Sequence, residues 1–145
     1  MIDVRPYVPG DAALMQEVTP CMGELTEELK SLMAGGDPDG TAFSCWHGDD
    51  VVLIGGIFPM WEGRMTAWLI VGKVPRYGWQ NICRAVKACL AAYADTPRIE
   101  ATALASEPKA QKFLEWLGFE REGLMRNYGP DGADHIGYAR IGSSS

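Results

Sequence analysis

The chain has 145 residues, of which 47% are apolar and 22% charged. That is the size and composition of one globular domain, and it excludes disorder, collagen-like repeats and a coiled coil as the main architecture. Thirteen Lys and Arg against nineteen Asp and Glu leave a net charge of −6, which speaks against nucleic-acid or anionic-membrane partners, because both need a positive field.

The opening Met1-Ile2-Asp3-Val4-Arg5-Pro6 carries charge early and lacks the apolar segment of a secretory signal. The longest apolar run, Val51 to Phe58, is too short to span a bilayer. Cys21, Cys45, Cys83 and Cys89 are scattered with no Cys-x-x-Cys pair. They read as free thiols, which suits a reducing cytoplasm. His47 and His135 are too few and too far apart in sequence to suggest a metal site.

In chain order, Ile2 to Arg5 reads as a first strand, closed by Pro6 and Pro9-Gly10. Asp11 is a good N-cap for a short helix through about Val18. Thr19-Pro20 repeats the signal, a capping hydroxyl followed by proline at the first helical position. Met22, Leu25, Leu29, Leu32 and Met33 fall on one helical face, and Gly35-Gly36 ends that helix. A turn cluster follows at Asp37-Pro38-Asp39-Gly40.

Thr41 to His47 and Val51 to Phe58 flank Gly48-Asp49-Asp50 and form a predicted hairpin. Glu62-Gly63 marks another turn. Met65 to Val71 is apolar on both faces, as a central strand is. After a loop from Gly72 to Gly78, the residues Trp79, Ile82, Cys83, Val86, Leu90 and Tyr93 make the apolar stripe of a long helix. Arg98 to Leu104 is the fifth strand. Ser106 caps a helix from about Glu107, with Ala110, Phe113, Leu114 and Leu117 as its stripe and Gly118 as its stop. Phe119 to Arg126 and Asp134 to Ile141 are the last two strands, joined by the turn Gly129-Pro130-Asp131-Gly132. The order predicts one domain over residues 1–145, of the α/β (α+β) class, with a central, mostly antiparallel mixed sheet and about four helices.

This order of elements resembles the GNAT acyl-CoA N-acetyltransferases over essentially the whole chain. The most specific segment runs from Ala110 through Trp116-Leu117-Gly118-Phe119 to Gly123. It looks like the family's closing helix, its Gly-Phe step and the strand after it. The resemblance implies a splayed cleft between Met65–Val71 and Arg98–Leu104 for the pantetheine arm of acetyl-CoA, the cosubstrate. It places the pyrophosphate at the start of the long helix, where unpaired N–H groups and a partial positive charge gather. The donor-binding residues it implies are Ile70, Val71, Gly72, Lys73, Arg76, Tyr77, Gly78, Trp79 and Gln80. The family's loop reads Arg/Gln-x-x-Gly-x-Gly/Ala. Here Arg76 matches its first position, while Trp79 and Asn81 stand where the glycines belong, so the loop is remodelled. Trp79 leaves the phosphate path open if its ring turns inward with the helix stripe. Glu107 replaces an Asn often found before the closing helix, and Leu114 replaces the Tyr that protonates the leaving thiolate.

For acetyl transfer to an amine, the oxyanion donor implied is a backbone N–H near Ile70 to Gly72. Glu62 and Glu100 are the nearest carboxylates for a base, and Tyr128 and Tyr138 are hydroxyls for an acid. Each has a plainer role: Glu62 as a solvated turn residue, Glu100 as a water-facing one, and the tyrosines as packing or rim groups. Asp134-His135 forms no triad, since neighbours on a strand face opposite ways and no nucleophile elbow is present. Cys45 is a packing thiol before it is a nucleophile. Trp68 and Trp79 belong to a core, whereas Trp61 and Trp116 fall at element edges.

Two functions follow from the resemblance. One is an N-acetyltransferase acting on a small-molecule or protein amine, with homodimerisation as the family implies. The other is a catalytically degenerate, GNAT-like binding or virion-associated protein of the kind tailed phages encode, residing in the host cytoplasm. The stretch Trp68 to Trp79 resembles those phage proteins.

Overall fold

The computed structural model describes residues 2–15, 19–22, 42–74 and 78–142. Its strands are β1 (Asp3–Pro6), β2 (Thr19–Met22), β3 (Ala42–His47), β4 (Asp50–Trp61), β5 (Arg64–Val71), β6 (Arg98–Leu104), β7 (Glu120–Met125) and β8 (His135–Ile141). Its α-helices are α1 (Trp79–Ala91) and α2 (Pro108–Trp116), and Asp11–Leu14 forms a 3-10 turn. Seven strands follow the order β1-β3-β4-β5-β6-β8-β7, and β2 pairs with β5 off that path. The pairs β1·β3, β3·β4, β6·β8 and β7·β8 are antiparallel, and β5·β6 is parallel. This is the mixed α/β sheet expected. The expected four helices are not matched: two α-helices stand among the described residues.

The chain packs as two compact units. The first comprises residues 1–20, 25–56 and 69–92. β1 lies along β3 from Asp3↔Trp46 to Pro6↔Phe43. Pro6 is tolerated there because it ends an edge strand and needs no ladder donor. β3 and β4 form the expected hairpin around Gly48, whose φ of 63° suits glycine. Val51, Val52, Leu53 and Ile54 are each no more than 1% exposed, so this part of β4 is covered on both faces.

Asp11 differs from its expected role. The N-cap position is Gly10, and no side chain caps the 3-10 turn. The buried Asp11 carboxylate instead accepts hydrogen bonds at Oδ2 from the Val8 N–H and the Ser44 hydroxyl, both at 2.9 Å. A buried carboxylate must find donors, and these two fasten the end of β1 to β3.

Thr19–Met22 also departs from expectation: it is a strand paired with β5, not the start of a helix. The Thr-Pro capping signal is local, and pairing with a distant strand overrides it. The rest of that expected helix, with Gly35-Gly36 and the turn at 37–40, lies outside the described residues.

The second unit comprises residues 21–24, 57–68 and 93–145. β6 alternates strictly, burying Ile99, Ala101 and Ala103. α2 buries Phe113 and Leu114 on one face, with Leu117 just beyond. Its stop is the expected one. Gly118 has φ 100°, its N–H donates to the Glu115 carbonyl, and the Phe119 N–H donates to the Leu114 carbonyl. That is the Schellman pattern, with Leu114 and Phe119 both buried beneath it. The helix start is one residue later than expected. Glu107, not Ser106, is the N-cap, Pro108 opens the first turn, and no side chain caps it. Gln111 Nε2 ties α2 to the end of β6 by donating to the Leu104 and Ala105 carbonyls at 3.0 Å.

Candidate functional site

β5 delivers a strand end to the start of a helix within the first unit. Ile70 is buried, Val71 and Gly72 are half-buried, and Lys73 is exposed. The Gly72 N–H donates to the Val52 carbonyl on β4 at 2.8 Å. That removes Gly72 as an oxyanion donor. N–H groups alternate along a strand, so Ile70 also points toward β4, while Leu69 and Val71 point to the other edge. Val71 and Leu69 are therefore the backbone donors this segment presents away from its hairpin partner.

The chain then reaches α1. Gly78 is buried, occupies the N-cap, and carries no capping side chain. No acidic residue stands in the first turn. The first N–H groups of any helix lack a carbonyl one turn back, so an uncapped start without carboxylates favours an anion. Gln80 and Asn81 are exposed on this turn. Trp79 corrects an expectation: it is 39% exposed, and the buried stripe is Ile82, Val86 and Leu90. Trp79 lies on the face of that stripe, three residues before Ile82 and seven before Val86, but it opens the helix a turn ahead of the buried positions. Arg76 and Tyr77 lie outside the described residues.

The second unit holds the expected catalytic carboxylates. Glu100 accepts bonds at Oε1 from Arg64 Nε and Arg98 Nε, both at 2.7 Å, and at Oε2 from Arg64 Nη2 at 2.8 Å. Arg98 also grips Glu122 through both Nη atoms, at 3.0 and 2.5 Å. The cluster stitches β5, β6 and β7 together. Hydrogen bonding from Arg64, and then from Arg98, holds the Glu100 carboxyl below the usual range. A carboxylate so stabilised is a weaker proton acceptor than a free one.

Glu62 is exposed in the β4–β5 turn. It precedes Ile70 by eight residues in the sequence. Trp61 beside it is 61% exposed, with the Arg64 guanidinium 4.3 Å from its ring centre. Tyr138 is 1% exposed and donates its hydroxyl to Glu115 at 3.1 Å, which makes it a packing residue. Tyr128 is 46% exposed, its ring 5.4 Å from the ring of His135. Sequence reasoning set His135 aside. Here it is buried, and its Nδ1 has no hydrogen-bond partner. The one signal available, an alternation that turns His135 inward and Asp134 outward, says nothing of the ring it meets. Among the described residues no group of three or more His, Cys, Asp or Glu is placed to hold a metal, and no helix is long and apolar enough to cross a membrane.

No protein-family model and no curated protein matches the chain. Solved structures do. A GNAT-family acetyltransferase from Bacillus anthracis superposes with a TM-score of 0.68 at 18% identity, over 97% of this chain and 94% of that one. The ribosomal-protein-S5-alanine acetyltransferase from Vibrio fischeri gives 0.61 at 19% identity over 71% of this chain, which spans 62% of that protein's length. The microcin C7 self-immunity acetyltransferase MccE, solved with acetyl-CoA and AMP, gives 0.62 at 13% identity, over 79% of this chain and 68% of that one. The chain has the GNAT fold. In a GNAT fold, Leu114 on the closing helix is 0% exposed and packs in the core, so it contributes no proton. None of the structures compared supports a phage origin.

Proposed function

We propose that this GNAT-fold chain is an acyl-CoA-dependent N-acyltransferase with a remodelled phosphate loop. The observation that carries the proposal is the arrangement at the end of β5: outward N–H groups on Leu69 and Val71, a short loop, and an uncapped α1 free of acidic residues in its first turn. The fold, and a neighbour of the same fold solved with acetyl-CoA, support acetyl-CoA as the cosubstrate. Acetyl-CoA supplies an activated acyl thioester. The Gly78, Gln80 and Asn81 backbone and the Lys73 ammonium, with Arg76, hold its diphosphate by the helix-start charge and point charges. A Val71 or Leu69 N–H bonds the oxygen that becomes negative when an amine attacks. The acceptor is an amine, small or protein-borne, and a chain of net charge −6 favours a cationic one.

A second reading, a GNAT-like binding protein without transfer activity, is favoured by the buried Leu114 where the family places a proton donor. Thermal unfolding with acetyl-CoA, matched to calorimetric titration, separates the two. At about 100 times its Kd the donor adds roughly 2.7 kcal/mol, which raises the midpoint of a chain this long by about 9 °C. No rise at millimolar acetyl-CoA overturns the acyltransferase reading.

A further inference from the structure

The charges of this chain are segregated. Between Glu62 and Asp95 it carries five cations and no acid, while the remaining residues hold the other eight cations and all nineteen acids. α1 lies inside that stretch. Ile82, Val86 and Leu90 form its buried stripe, and Gln80, Arg84 and Lys87 stand exposed. The spacing i, i+4, i+7 sets these three on one ridge, on the side of the helix away from the buried stripe. Arg84 lies about 6 Å and Lys87 about 10.5 Å along the axis from Gln80. Helical side chains lean toward the N-terminus, so both cations reach back toward the uncapped start at Gly78.

The helix itself does not account for them. α1 contains no carboxylate for an i, i+4 pair, and neither cation stands in the last turn, where the helix dipole favours one.

We infer that the Gln80–Arg84–Lys87 ridge reads the phosphate monoester on the donor's ribose, so that the site selects acyl donors carrying a 3′-phosphate over those lacking it. The inference rests on the acyltransferase reading and adds donor specificity to it. The donor's diphosphate is proposed to meet the helix start. The monoester lies one sugar beyond the diphosphate and is a second anion. A donor that runs from the helix start along the exposed side of α1 brings that anion to the ridge. Arg84 offers the planar fork that phosphate oxygens accept in pairs, and Lys87 a point charge. In a chain of net charge −6, attraction of an anion has to be local, and a stretch without acids supplies it.

Titration calorimetry on the full chain tests this with two probes, acetyl-CoA and acetyl-3′-dephospho-CoA. The wild type is expected to bind acetyl-CoA about tenfold more tightly, the effect of two exposed ion pairs. Raising the salt to about 0.5 M is expected to narrow the gap. Arg84→Gln and Lys87→Gln are changes between good helix formers. Each is expected to weaken acetyl-CoA binding about threefold, and together they are expected to close the gap, with less than about a twofold change for the dephospho donor. If the wild type binds both probes equally, or if the double variant keeps the gap, the ridge inference is overturned and the acyltransferase reading stands. If neither probe binds the wild type, both are overturned. Should the double variant fail to unfold cooperatively, the single variants decide, and two singles that keep the full gap overturn the inference.

Discussion

Gln80→Glu puts a carboxylate on the first turn of α1, where the donor's diphosphate is proposed to bind. The structure gives the substitution two effects of opposite sign. Without ligand, the helix gains: its start has no capping side chain and no acidic residue, and Gln80 is exposed. A negative charge there is worth about 0.3–1 kcal/mol. With about 0.3 kcal/mol of unfolding free energy per degree for a chain this long, the midpoint rises by about 1–3 °C. With the donor present, the same charge repels the diphosphate. Two unit charges about 5 Å apart interact by roughly 1.7 kcal/mol at an effective dielectric constant near 40. A dianion doubles that, and salt takes back about half. The expected loss is about 1.7 kcal/mol, or roughly 20-fold in acetyl-CoA affinity. Differential scanning calorimetry reads the first effect and titration calorimetry the second. A higher midpoint with unchanged acetyl-CoA affinity refutes the placement of the diphosphate at α1. A lower midpoint refutes the account of the helix start itself.

Three further outcomes follow from the packing. Ser44→Ala removes one of two donors to the buried Asp11 carboxylate and costs about 1.5–3 kcal/mol, a fall of about 5–10 °C in midpoint; an unchanged midpoint means that bond contributes nothing. Glu100 and Glu122 both have lowered pKa values, chiefly through hydrogen bonds from Arg64 and Arg98 respectively. Their contribution is therefore present above the unfolded carboxylate pKa of about 4.3 and is lost as pH falls through the lower folded values. Thermal scans from pH 6 downward are expected to show a shallower acid-side loss in Glu100→Gln than in the wild type, and parallel curves count against the cluster. Gly142→Ala sets a Cβ on the Thr96 carbonyl oxygen, where backbone leaves no room. It is expected to cost about 1–3 kcal/mol in urea unfolding, with no change in acetyl-CoA binding.

The sequence by itself determined the elements whose signals are local or periodic. The strict alternation of β6, the stripe of α2 and the Gly118-Phe119 stop could be read from residue spacing, because each is set by one element against one buried face. The hairpin at Gly48 and the turn at Glu62-Gly63 were legible from local turn signals, and so was the fold class that the order of elements implies. Tertiary structure alone decided the rest. Thr19-Pro20 carries a helix-start signal, yet an edge of β5 some fifty residues away takes it as a strand, and no local pattern encodes that partner. Asp11 looked like a cap until Ser44 supplied a buried donor from β3. Glu100 read as a water-facing carboxylate or a candidate base, and only the fold shows that two arginines, one on β5 and one beside it on β6, hold its oxygens. Backbone donors such as Leu69 and Val71 have no side-chain signature at all. Which of them faces outward depends on the edge β4 occupies, and that is a property of the folded sheet.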